Sequence, residues 1–220
     1  MCYIKKLYIK FICSIGEVPW FEKKNKIIEA GYELFSEVPV DGLDYMIGSV
    51  HYLKFGDEIL GFDRNLQQTL DYVNDNFGGD GLAFAKKYFE TVITLPEKHN
   101  FDIIGHFDLL LKNSDYLGYK PTQRFLDCAE KAVKELCRYS APFEINTGAM
   151  ARGYRSVPYP IPEILAMIKK YGGKITFSSD CHDKKYLEYG YDVAEKLAIE
   201  AGFTEHGVIT EKGVEYIPIV

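Results

Sequence analysis

The sequence predicts an α/β protein built on a largely parallel sheet. Short runs of β-branched and apolar residues alternate with longer stretches of helical periodicity, which is typical of repeated βα units. Pro121 and Pro162 stand where two of the helices would begin. Histidine or aspartate follows several predicted strands, and β/α folds assemble their chemistry at the carboxyl ends of parallel strands.

The elements follow from these patterns in chain order. The expected strands are short, apolar and rich in β-branched residues: Leu7–Ser14, Asp44–Val50, Phe101–Gly105, Pro142–Asn146, Lys174–Phe177 and His206–Thr210. The expected helices repeat apolar residues every three to four positions: Glu22–Glu37, Asn65–Phe77, Ala83–Glu97, Pro121–Tyr139, Ile161–Tyr171 and Lys184–Ala201.

Length and composition favour one domain acting on a small substrate. The 220 residues contain no Pro-, Gly- or Ser-rich linker, so we expect a single domain over residues 1–220. The net charge of −6 comes without a basic stripe, which argues against nucleic acid as a partner. The five cysteines are odd in number and lack CxxC spacing, which favours a reducing cytoplasm. Lysines interrupt the apolar start, so neither a signal peptide nor a membrane span is expected.

Histidines at strand ends predict an open metal site. His51 ends one strand, His106 follows another, and Asp180 with His182 follows a third. Imidazole suits zinc, iron or manganese, so metal-assisted hydrolysis is the first hypothesis. Taken alone, His51 is more simply a satisfied polar residue. Asp108 could orient the ring of His106 or merely cap a turn. The crowded run around Asp180 favours the ligand interpretation.

A polar turn after the fourth strand suggests phosphate binding. Asn146 ends this strand, and Arg152 and Arg155 follow it. Arginine presents paired donors to phosphate oxygens, whereas the alternative is a solvated loop arginine, which is preferred for Arg155 taken alone. His99 and His206 lack such company and are expected at the surface or in turns. Cys181 is expected to be a small packed side chain.

The motifs together resemble the PHP-type histidinol phosphatases, in order from about Cys13 to the end of the chain. The segments that carry the resemblance are Gly48–His51, Asp102–Leu109, Phe143–Ala149, Arg152–Arg155, Pro158–Pro160 and Ser179–His182. The resemblance implies a distorted β/α barrel whose strand ends hold up to three divalent metals. It further implies hydrolysis of L-histidinol phosphate in histidine biosynthesis by a metal-bound hydroxide, with no protein nucleophile.

Residue by residue, the resemblance assigns His51, His106, Asp180 and His182 as metal ligands. Arg152 matches a phosphate-binding position, with Arg155 and Asn146 as further substrate-binding candidates. The metals expected are zinc, iron or manganese. One strand of the family supplies a glutamate that bridges two metals. In one alignment Ser14 takes the position of this glutamate, and in a shifted alignment Glu17 takes it.

The family opens with an HxH strand, and this sequence contains no HxH. We therefore expect an incomplete barrel that lacks its first one or two βα units and holds fewer metals. An exposed sheet edge would then favour an oligomer. The alternatives are another PHP phosphoesterase for a small phosphate monoester, or a degenerate non-catalytic relative.

Overall fold

The computed structural model describes residues 27–29, 45–98, 100–117, 120–210 and 212–220. Within these ranges the strands are β1 (Ile27–Glu29), β2 (Tyr45–Gly48), β3 (Tyr52–Phe55), β4 (Glu58–Gly61), β5 (Ile103–Ile104), β6 (Phe143–Asn146), β7 (Ile175–Ser178), β8 (Glu205–Thr210) and β9 (Gly213–Pro218). The helices are α1 (Leu66–Phe77), α2 (Gly81–Ile93), α3 (Leu95–Lys98), α4 (Ser114–Leu117), α5 (Gln123–Leu136), α6 (Gly148–Ala151), α7 (Pro162–Lys170) and α8 (Tyr191–Glu200).

The strands form one large sheet and one hairpin. The sheet has the order β1-β2-β5-β6-β7-β8-β9, and all neighbours are parallel except β8 and β9. Strands β3 and β4 form a separate antiparallel pair. The predicted α/β class with a largely parallel sheet is confirmed. No helix in the described ranges is both long and apolar enough to cross a bilayer.

The two faces of the sheet bury different residues because side chains alternate along a strand. Phe143 and Ile145 of β6 are fully buried in the main core, together with residues of α2, α5 and α7. Ile47 of β2 and Ile103 of β5 form a smaller cluster of their own. Glu144 and Asn146 occupy the alternate positions of β6 and are also buried. One strand therefore supplies both core and polar side chains.

Side-chain caps fix where the helices begin. The side chain of Asp80 accepts hydrogen bonds from the N–H groups of Leu82 and Ala83, and α2 therefore begins at Gly81, before the predicted Ala83. Thr122 caps α5 in the same way through Phe125. Asn65 caps α1, which ends at Gly78 in the left-handed conformation with φ of 60°.

Several sequence predictions are wrong. The predicted helix Glu22–Glu37 contains strand β1, in which Ile27 and Ile28 pair in parallel with β2, so the β-branched pair follows the sheet and not a helix. The predicted helix Lys184–Ala201 is split into a 3₁₀ turn over Lys184–Tyr186 and α8, because Glu188 and Gly190 both have positive φ. The predicted strand Leu7–Ser14 lies outside the described residues.

The hairpin and the last strand were missed. Gly56, with φ of 55°, lies in the two-residue turn between β3 and β4 and supplies the conformation that such a turn needs. The dipeptide Gly56-Asp57 between two short runs is the signal that could have found this hairpin. Strand β9 pairs antiparallel with β8 and begins at Gly213, which has φ of 99°.

We expect Gly105→Ala to destabilise the fold. A Cβ at this position would lie 2.2 Å from the Ser49 Oγ and 2.7 Å from the Ile47 Cγ2, so the strands would have to move apart. The free energy of unfolding should fall by about 1–3 kcal/mol, measured by urea denaturation. Gly81→Ala is the matched control, since a Cβ there meets nothing within 4 Å. Equal stability of the two variants would contradict the close approach at Gly105.

Candidate functional site

His51 and His106 come together at the carboxyl edge of the sheet. His51 follows β2 and His106 follows β5, which is the neighbour of β2. Their ring centroids are 4.8 Å apart, with the planes nearly perpendicular. His106 is buried, whereas 25% of the His51 side chain is exposed. The expected meeting of these two histidines at one rim is therefore found in the structure.

Asp63 is a member of this group that the sequence analysis missed. It follows β4, and its Oδ2 lies 3.1 Å from the Nδ1 of His51. The Nζ of Lys112 lies 3.6 Å from the same oxygen. Burial alone would raise the pKa of Asp63, but the hydrogen bond with His51 and the charges of His51 and Lys112 outweigh burial and hold the pKa below its usual value. The available signal was an aspartate two residues after a short strand-like run, which required the hairpin to be recognised first.

The buried carboxylate of Glu144 joins β6 to this rim. Its Oε2 accepts hydrogen bonds of 2.9 Å from the backbone N–H of His106 and of 2.9 Å from the amide of Asn146. The Oδ1 of Asn146 in turn accepts from the N–H of Gly148 at 2.9 Å. Asn146, predicted to bind substrate, thus has both ends of its amide engaged inside the protein. It shapes the turn after β6.

Arg152, Asp180 and His182 form a second group at the same edge. Arg152 donates to the backbone oxygen of Asp180 at 2.9 Å and to its Oδ2 at 3.2 Å. The Nε2 of His182 lies 3.7 Å from the other oxygen of Asp180, and the His182 side chain is 54% exposed. Asp180 itself is buried and has φ of 43°, a conformation that costs energy for a residue with a Cβ. The predicted metal ligand and the predicted phosphate ligand are here bound to each other.

Gly148 permits this contact. A Cβ on Gly148 would lie 2.7 Å from the Cβ of Asp180 and 3.0 Å from the Nη2 of Arg152. A glycine is therefore required for the turn after β6 to approach the turn after β7.

Arg155 lies in the interior. Only 1% of its side chain is exposed, its Nη1 lies 4.0 Å from the Oδ2 of Asp108, and its guanidinium packs over the ring of Tyr159 at 4.5 Å. Burial raises the pKa of Asp108, and the charge of Arg155 opposes this rise only in part. Asp108 also accepts a hydrogen bond from the N–H of Ile161. Arg155 is thus not a solvated loop arginine, and its guanidinium is directed at Asp108 and Tyr159.

A cavity of about 440 Å³ opens beside the Asp180 turn. Its walls include Glu144, Phe177, Cys181, Glu188 and His206. His206 lies on β8 and not in a turn, and it is partly buried because its ring packs on Phe177 with a centroid distance of 4.4 Å. Cys181 is buried, as expected of a small packed side chain. Ser14, Glu17 and His99 lie outside the described residues.

The predicted ligands therefore form two pairs, His51 with His106 and Asp180 with His182. Among the residues that the structure describes, no three or more His, Cys, Asp or Glu side chains form a group that could hold a metal ion.

Comparison with known proteins gives a consistent relationship. No family model matches the chain. The chain is 30% identical over 175 residues to the probable histidinol-phosphatase of Schizosaccharomyces pombe. The aligned region covers 78% of this chain and 55% of that protein. It is 26% identical over 159 residues to the probable histidinol-phosphatase of Deinococcus radiodurans, and this alignment covers 72% of this chain and 55% of that protein. The chain thus spans little more than half the length of these relatives.

Two solved structures share the fold. A candidate histidinol phosphatase, HisK of Listeria monocytogenes, superposes with a TM-score of 0.59 at 16% identity over 69% of this chain and 58% of that one. The histidinol phosphate phosphatase HisK of Lactococcus lactis was solved with zinc, L-histidinol and phosphate. It superposes with a TM-score of 0.50 at 17% identity, and the superposition covers 79% of this chain and 62% of that one. The fold is the PHP type of β/α architecture. Within that type the similarity is to the histidinol phosphatases, which confirms the resemblance drawn from the motifs.

We expect His206 to make stability depend on pH. Burial lowers the pKa of His206 below its usual value of 6.5. The unfolded chain therefore binds a proton here more readily than the folded chain, and stability should fall as pH decreases through about 6.5. His206→Phe preserves the packing on Phe177 and should flatten this dependence in denaturation measured from about pH 8 to pH 5. A variant with the wild-type pH dependence would contradict the assignment.

Proposed function

We propose that this chain carries the active-site rim of a metal-dependent phosphomonoesterase that hydrolyses L-histidinol phosphate to L-histidinol and phosphate, in histidine biosynthesis. The observation that carries the proposal is the gathering of His51, His106, Asp180 and Arg152 at the ends of neighbouring strands. The sequence similarity to two probable histidinol-phosphatases supports the choice of substrate.

The donors at the rim have the right chemistry for zinc, iron or manganese. Imidazole nitrogen and carboxylate oxygen are the ligands that such ions accept. His51 and His106 would supply two nitrogens, and Asp180 with His182 an oxygen and a further nitrogen. A catalytic metal needs about three protein ligands, and each pair in the described part of the chain supplies two. When bound, a divalent metal neutralises phosphoryl charge and lowers the pKa of a water molecule.

Arg152 would hold the substrate phosphate. Its side chain is 30% exposed, so a ligand can reach it. Its guanidinium already donates to the backbone and to the carboxylate of Asp180, so phosphate must share or replace these contacts. Binding of phosphate would thereby loosen the hold of Arg152 on Asp180. Arg155 and Asn146 have interior partners, and we assign them to shaping the turn on which Arg152 stands.

A second candidate is a degenerate relative without catalysis. The ion pair between Arg152 and Asp180 favours it, because the arginine already neutralises the one carboxylate predicted to bind metal. The same Arg152 would accept the phosphate of any small monoester, so the substrate test should include other monoesters.

We also propose a single domain and a cytoplasmic location, as suits an enzyme of small-molecule biosynthesis. Strand β9 is the outer strand of the described sheet beyond β8, and pairing there would give an oligomer.

Asp180→Asn and His182→Ala should each lower bound metal and phosphatase activity together. Loss of a residue that only supports a metal ligand lowers metal affinity roughly 10- to 100-fold. Loss of a ligand itself should lower metal affinity by more than this. Metal content of the purified chain and phosphate release from L-histidinol phosphate measure the two quantities. Stoichiometric metal with full activity in either variant would refute their role. A wild-type chain that binds no metal and releases no phosphate would support the degenerate relative.

Arg152→Ala should mainly raise KM. Charge-assisted hydrogen bonds contribute about 1.5–3 kcal/mol, so KM should rise roughly 10- to 100-fold with a smaller change in kcat. Arg138→Ala is the matched control, since Arg138 is an exposed arginine just after α5 that pairs with Glu135 of that helix. Steady-state kinetics of both variants give the answer, and an unchanged KM in Arg152→Ala would reject the substrate role.

A further inference from the structure

We infer that Asp63 is a positioning residue for His51, which it fixes in the tautomer that leaves Nε2 to bind metal, and that Lys112 holds Asp63 in place. The inference deepens the proposed function and rests on it, because a fixed His51 matters for catalysis only if this histidine is a metal ligand. Neither Asp63 nor Lys112 carries a role from the motif resemblance. Both emerge from the contacts of the hairpin formed by β3 and β4.

The hairpin brings Asp63 to His51. Tyr52 pairs with Gly61 at the open end of the hairpin, and one step further the N–H of Phe62 donates to the backbone oxygen of His51 at 3.3 Å. Phe62 is thus the residue opposite His51, and Asp63 follows it; the Asp63 side chain reaches back to His51, with 3.1 Å from Oδ2 to Nδ1. The backbone bond between Phe62 and His51 keeps the segment that carries Asp63 next to His51, and both side chains are largely shielded from solvent.

Phe62 anchors the end of the hairpin in the core. It is fully buried, and its ring packs edge-on against Phe84 at 5.4 Å and Tyr88 at 5.5 Å. Because Phe62 directly precedes Asp63, the backbone that carries the carboxylate is held by the aromatic cluster. A carboxylate that is to orient another ring needs such a fixed base.

Lys112 holds Asp63 from the other side. Its Nζ donates to the backbone oxygen of Asp63 and lies 3.6 Å from the carboxylate Oδ2. The same Nζ lies over the ring of Tyr154, 5.0 Å from its centroid. Tyr154 is in the turn that carries Arg152, so Lys112 connects the hairpin to the phosphate-binding side of the rim. The chain of contacts from His51 through Asp63 and Lys112 to Tyr154 therefore ends in the turn that carries Arg152.

The chemical consequence concerns the two ring nitrogens. An aspartate is ionised at neutral pH and only accepts hydrogen bonds, so the Nδ1 of His51 carries the proton. The Nε2 then keeps its lone pair, which is the nitrogen that a metal can bind. A carboxylate in this position also makes the imidazole a stronger ligand, and its loss typically costs 10- to 100-fold in metal affinity.

The test compares Asp63→Ala with Asp57→Ala. Asp57 lies in the exposed turn of the same hairpin, so its loss controls for removing an acidic residue from this element. Zinc affinity is measured by chelator competition, and the His51 tautomer by ¹⁵N NMR of the metal-free protein at alkaline pH, assigned with His51→Ala. Asp63→Ala should weaken zinc binding roughly 10- to 100-fold and populate the tautomer protonated on Nε2, whereas Asp57→Ala should change neither.

Asp63→Asn can still accept the hydrogen bond from Nδ1 and should keep more of the wild-type tautomer and affinity than Asp63→Ala. An unchanged His51 tautomer in Asp63→Ala would overturn the inference, and so would an unchanged zinc affinity. A wild-type chain that binds no zinc would instead contradict the proposed function. In that case the tautomer measurement, which needs no metal, still decides whether Asp63 positions His51.

Discussion

The buried carboxylate of Glu144 is the constraint on which the rim depends. It lies on the middle strand of the described sheet and ties the backbone of His106 to the side chain of Asn146. A buried carboxylate is costly unless donors satisfy it, so these hydrogen bonds fix how the segments after β5 and β6 leave the sheet. The position of His106 beside His51, and of Gly148 beside Asp180, follows from this arrangement.

The rim combines acids with bases instead of collecting carboxylates. Asp63 lies between His51 and Lys112, Asp180 lies between Arg152 and His182, and the interior Asp108 lies beside Arg155. Asp63 and Asp180 thus have basic partners within the described residues before any ligand arrives, whereas Arg155 offsets the burial of Asp108 only in part. A metal or a phosphate that binds here has to replace an existing ion pair of these side chains. The strength of these ion pairs therefore opposes ligand binding.

The sequence was sufficient for the parallel core and for the strand ends that carry His51, His106 and Asp180, because alternation of apolar runs and helices reports directly on βα units. Asp63 was missed because the hairpin that brings it to His51 was not predicted. The sequence also misjudged Arg155, because burial of a polar side chain depends on distant partners, here Asp108 and Tyr159. The local sequence pattern predicted a helix over Ile27–Glu29, but pairing with β2 makes this segment a strand.

The most direct measurement is anomalous X-ray diffraction from crystals of this chain grown with zinc. A metal rim at the strand ends requires an anomalous peak about 2.0–2.1 Å from a ring nitrogen of His51 or His106. A peak bound only by surface residues away from this edge, or no peak in a well-ordered crystal containing zinc, would contradict the assignment of the rim as a metal site.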